Sequence, residues 1–200
     1  MAFHRVILLV TAVVASLPGC GYSLRTSKSG SALSKKGIHR IYVEPIANAT
    51  YRAGVENTVF NAIVRTISGS PEVRAVSRRE DADAVLSGKV IGVTRNVSGV
   101  LKASDLNPKG LGSPSILVAT EYVAVLECEF SLHSIVRDGS KGQQLWRGGF
   151  SRSKPFPANN QLWSLGSTSA LINESELDRS LADVAELMSG DLVQSMLEDF

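Results

Sequence analysis

The stretch Ile116-Leu-Val-Ala-Thr-Glu-Tyr-Val-Ala-Val-Leu-Glu-Cys-Glu-Phe-Ser-Leu-His-Ser-Ile-Val136 decides the fold. Tyr122, Ala124, Leu126, Cys128, Phe130 and Leu132 alternate with Glu121, Val123, Val125, Glu127, Glu129, Ser131 and His133. Side chains along a strand point to opposite faces in turn, so period-two alternation predicts a long strand with one buried and one wetter face. The run Arg137-Asp-Gly-Ser140 reads as a turn. Gln144–Ser153, around Leu145, Trp146 and Phe150, reads as the returning strand. Upstream, Ala84–Ser98 is a third strand, in which Gly88 and Gly92 mark a bend or close packing.

Further outward the period changes. Val55, Val59, Ala62, Ile63 and Ile67 recur at helical steps within 54–67, and Gly69 with Pro71 ends that helix. Leu177, Leu181, Val184, Met188, Leu192 and Met196 line one face of a helix expected over 174–200, capped at Asn173 or Ser175. Ile38–Ile46 is strand-like, and Val73–Val76 is a short strand candidate. Residues 99–115 and 154–173 read as irregular. Strands grouped between two helices predict an α+β, two-layer domain over 38–200. Its mixed, mostly antiparallel sheet has four to five strands, with both helices on one face.

The first residues belong to a different class. Met1–Arg5 is a short basic start and Val6–Leu17 an apolar run. Twelve helical residues rise about 18 Å, too short for a hydrocarbon core and the right size for a signal-peptide apolar segment. Leu17-Pro18-Gly19-Cys20 follows and is similar to a bacterial lipobox, so residues 1–19 are expected to be removed and Cys20 to be lipidated. Acyl chains would then hold the chain on a membrane. Gly21, in place of an Asp, points to the periplasmic side of the outer membrane. Residues 20–37, rich in Ser, Lys and Gly, read as a flexible tether.

The 200 residues are 44% apolar with a formal charge of +2, which excludes wholesale disorder and a dedicated nucleic-acid binder. Two cysteines exclude a disulfide scaffold, and Cys128 reads as a buried small hydrophobe. The charge is a cancellation: 19 basic and 11 acidic residues over 21–158 against one basic and 8 acidic over 159–200. Either the last helix is acidic toward solvent, or the sheet and its loops offer a basic surface to an anion. His39 and His133 lack metal-ligand spacing, Glu121, Glu127 and Glu129 read as a solvated strand face, and no catalytic or cofactor motif is present. The reading is therefore no metal, no cofactor and no enzyme.

Several segments, in order, carry a resemblance. They are Gly19-Cys20-Gly21-Tyr22, Ile38–Thr50, Gly54-Val55-Glu56, Glu80–Val90 and Leu145-Trp146-Arg147. Together the chain resembles the LptE family of lipopolysaccharide-assembly lipoproteins. That resemblance implies a sheet with two packed helices, a place as plug and assembly partner inside the LptD β-barrel, and lipopolysaccharide binding. Its phosphates would be met by Lys or Arg, and the basic excess of the sheet region makes Lys102, Lys109, Arg147 and Arg152 the candidates. A lipoprotein regulator of a peptidoglycan synthase and a secretion-pore subunit are the alternatives.

Overall fold

The structure, a computed structural model, describes residues 31–102, 117–136, 140–159 and 168–198. In chain order it contains α1 (Ala32–Lys35), β1 (Arg40–Val43), β2 (Ala47–Asn48), α2 (Val55–Gly69), β3 (Arg74–Val76), a 3-10 turn (Arg79–Asp81), β4 (Ala84–Lys102), β5 (Leu117–Ile135), β6 (Lys141–Pro157) and α3 (Thr168–Glu198). The strands form one mixed sheet in the order β3-β1-β4-β5-β6, with β2 also on β4. β1 runs parallel to β3 and β4, while β4, β5 and β6 are antiparallel neighbours. The expected α+β, two-layer architecture is the one observed.

Alternation on β5 sets the register. Tyr122 through Leu132 on even numbers face the helices, and all of them except half-buried Tyr122 are buried. Opposite them on β4 lie Leu86 (to Leu132), Val90 (to Cys128) and Val93 (to Leu126). Gly88 faces Phe130 across this ladder, and a Cβ there would stand 2.5 Å from the Phe130 ring. The glycine thus admits a large aromatic ring to the middle of the core. A bulge between Val90 and Gly92 keeps Val93 on the inner side beyond it.

Both helices cover this one face. α2 buries the five residues its periodicity names, Val55, Val59, Ala62, Ile63 and Ile67. It starts at Gly54, whose φ of +89° is a left-handed backbone that a side chain would strain. α3 buries Leu177, Leu181, Val184, Met188, Leu192 and Met196. Thr66 and Ser189, with oxygens 2.6 Å apart, fix the two helices side by side.

Several boundaries move outward from the sequence expectation. β6 continues to Pro157 and α3 begins at Thr168, so Asn173 and Ser175 lie inside the helix and do not cap it. Asn173 instead clasps β6's exit: its Oδ1 accepts from the Asn159 N–H at 2.7 Å and its Nδ2 donates to the Asn159 carbonyl. Residues 99–102, expected as loop, continue β4. The last part of the expected tether is also structured. Ser31 caps a helical turn, and Leu33 within it is fully buried in the core cluster, so residues ahead of Ile38 also belong to the packed body. The expected signal peptide, Cys20, Lys109 and the rest of the 99–115 loop lie outside the described residues.

Candidate functional site

The charge asymmetry resolves into a seam. Acids on α3 meet cations on the body one after another: Glu174 with Arg52 and Arg95, Asp178 with Arg52, Asp183 with Lys154, Glu186 with Arg65, and Asp191 with Arg152. The excess on each side is therefore largely spent on docking the last helix. It is neither a helix acidic only toward solvent nor a basic face wholly free for an anion. Arg52 is the tightest node. Burial disfavours its charge, but hydrogen bonds from its guanidinium to Asp178 at 2.6 Å and Glu174 at 3.1 Å outweigh that and hold it more firmly charged than a free arginine.

Where the seam begins, an open groove of about 790 Å³ runs between residues 49–53, the bulged part of β4 and the first turns of α3. Val93, Ile91 and Leu177 give it an apolar lining, Tyr51 stands fully exposed at it, and Arg52, Arg95 and Glu174 supply its charge. The Arg95 guanidinium also sits 5.0 Å from the centre of the Tyr122 ring. Asn48 shapes the loop: its side chain donates to the Arg52 carbonyl and to Glu56, and its Oδ1 accepts from the Thr50 N–H. Chemically this is an amphipathic groove with two guanidiniums held by one carboxylate. An incoming anion would compete with Glu174 for both.

The four basic residues singled out above are not brought together. Lys102 ends β4 at the far tip of the β4–β5 pair, and Lys109 lies outside the described residues. Arg147 is on the helix-free face of the sheet, paired to Glu129 at 3.2 Å. Arg152 is on the helix side, paired to Asp191 at 2.6 Å, which keeps its charge more secure than usual. Arg52 and Arg95, the cations at the groove, escape the sequence reading. The signal for Arg95 is its phase, since it falls in step with Val93, which packs against the core, on β4.

Two of the β5 carboxylates act as cross-strand partners. Glu129 takes Arg147, and Glu121 accepts from Ser98 at 2.6 Å. Cys128 is buried, and burial pushes its thiol up to about 12, so it is a packing residue and no nucleophile. Two structural nodes tie β1 to its neighbours. Burial raises the Asp83 carboxyl, yet hydrogen bonds from the Arg40 side chain and the His39 and Arg40 amides bring it below the usual carboxylate range. Glu44, likewise raised by burial, ends lowered by Lys141, Ser87 and Arg79. Among the described residues no group of three His, Cys, Asp or Glu side chains is placed to hold a metal ion.

The model of the LptE lipopolysaccharide-assembly family matches residues 38–200. The chain belongs to that family. No curated protein sequence matches it. Solved structures similar to this LptE-family chain include protein XCC0632 from Xanthomonas campestris, at 13% identity and TM-score 0.48, covering 80% of this chain and 84% of that one. Rare lipoprotein B from Shewanella oneidensis matches at 13% identity and TM-score 0.44, covering 79% and 93%. PelC, a dodecamer from Paraburkholderia phytofirmans, matches at 19% identity and TM-score 0.42, covering 81% and 92%. No helix among the described residues of this family member is long and apolar enough to cross a membrane.

Proposed function

We propose that this LptE-family chain is the lipid-anchored plug and assembly partner of an LptD-like outer-membrane β-barrel, and that it binds lipopolysaccharide without catalysis. Cys20 carries the acyl chains, and the body sits on the periplasmic side of the outer membrane. The family match over 38–200 carries this reading. The geometry supports it: the structure offers an ion-paired scaffold and an amphipathic groove. Lys102, Lys109, Arg147 and Arg152 are the proposed phosphate contacts. Arg147 and Arg152 lie on opposite faces, so any contact made by the set is spread around the body rather than gathered in one pocket.

Isolation of the full chain from envelope membranes tests the role. A stoichiometric β-barrel partner is the expected result, and a peptidoglycan synthase or a ring of copies in its place overturns it. Replacing the four basic residues with Ser is expected to weaken binding to purified lipopolysaccharide. Unchanged binding removes them as contacts.

A further inference from the structure

The sheet ends at β6, and its outer edge pairs with no strand among the described residues. The hydrogen-bonding phase of that edge is fixed. Ala158 N–H donates to the Thr120 carbonyl at 2.9 Å, so even-numbered residues of β6 turn their main-chain groups toward β5. Antiparallel ladders alternate, so the odd-numbered residues Arg147, Gly149, Ser151 and Ser153 direct theirs outward. Pro155 and Pro157 share that outward phase, where a missing N–H breaks no bond to β5. The two prolines also close the far end of the edge to a new strand, leaving Arg147–Ser153 open.

This open segment is complementary to itself. Antiparallel pairing about a two-fold axis at Phe150 sets Arg147 opposite Ser153 and Gly149 opposite Ser151, twice over by symmetry. On the helix-covered side Phe150 meets its own copy, Arg152 lies opposite Gly148 and Lys154 opposite Trp146. No cation faces another in this register, although the segment carries Arg147 and Arg152 and Lys154 follows it. A shift that centres the pair on Ser151 would instead bring Pro155 into the ladder.

A second observation lies above the same edge. Asp183 and Asp191 of α3 pair with Lys154 and Arg152 of β6. Leu187 lies midway between them at four-residue spacing, hence on the same stripe, and is 60% exposed. An exposed leucine flush with an unpaired edge is a surface that a second sheet of the same kind would cover.

We infer that β6 is a homodimerisation edge: a second copy of this chain, free of other partners, adds to Arg147–Ser153 antiparallel, with Leu187 of each copy closing over the seam. The inference does not depend on the lipopolysaccharide-assembly reading.

Sedimentation equilibrium of the full chain in density-matched detergent, across a dilution series, tests it together with residue-resolved amide exchange. The expected mass is that of two chains at the concentrated end. The Arg147, Gly149, Ser151 and Ser153 amides should gain protection as the dimer forms, while Gly148, Phe150 and Arg152 stay protected throughout. Ser151→Pro removes an outward donor and should halve the mass without altering the far-ultraviolet spectrum. Leu187→Asp should do the same from the helix side. A single chain at every concentration with the odd-numbered amides unprotected overturns the inference. So does a ring of more than two copies, or protection of that edge only when another protein is bound.

Discussion

Arg52 and Glu174 are joined at 3.1 Å across 122 positions of sequence, and the same carboxylate takes Arg95 at 2.7 Å from β4. One side chain of α3 thereby ties the helix to both the 49–53 loop and the sheet. All three groups are partly exposed, so solvent screens the pairing. Glu174→Gln is expected to cost under about 1 kcal/mol in urea unfolding. A double-mutant cycle with Arg52→Met should show coupling that shrinks as salt is raised. Additive effects at low salt would show that the pair contributes nothing.

Asp83 and Glu44 both have folded values below their ordinary ones. Carboxylates of this kind stabilise the fold fully above the unfolded values, 3.8 for Asp and 4.5 for Glu, and lose that contribution as pH falls through the lowered folded values. Stability should therefore fall on acidification below those values. Asp83→Asn should lower stability at neutral pH by roughly 1–2 kcal/mol and flatten the acid limb. A parallel pair of pH–stability curves would remove Asp83 as a source of the acid dependence.

Two glycines should respond in opposite directions. Gly88→Ala forces a Cβ to 2.5 Å from Phe130 and 2.7 Å from Ile46, and overpacking there is expected to cost about 1–3 kcal/mol. Gly190→Ala meets nothing within 4 Å inside α3 and should stabilise by about 0.5–1 kcal/mol through helix propensity alone. Thermal unfolding of the two variants side by side checks both signs.

Leu33 is fully buried, although it precedes the first strand and sits among serines and lysines. Leu33→Ala is expected to cost about 2–4 kcal/mol, the range for a core leucine at a site able to relax in part. Lys35→Ala, on an exposed neighbour, should fall within about 0.5 kcal/mol of neutral. Equal effects would show that the segment does not belong to the packed body.

Periodicity made the centre of the fold legible. The inward residues of β5, the apolar stripe of α2 and the stripe of α3 all follow from spacing, because those elements bury one face continuously. Their ends were not legible. Pro155 and Pro157 look like strand breakers, yet an edge strand accepts them in its outward phase. The first turns of α3 carry Thr168, Ser169 and Asn173, residue types that favour loops, and tertiary bonding to Asn159 holds them in a helix. A single leucine gave no period to read at Leu33. The groove was hidden for a related reason. Arg52 and Arg95 become neighbours only through α3, and no local pattern announces a partner more than seventy positions away.

The covering of the sheet by α3 also bears on the order in which the chain becomes complete. A polypeptide delivered from its N-terminus lacks the apolar stripe from Leu177 to Met196 that completes the core until the final thirty or so residues arrive. The same late segment brings the carboxylates that balance the body's cations. Until then the nascent protein carries apolar surface together with an unbalanced positive charge. A stop codon before Thr168 would leave it in that condition permanently.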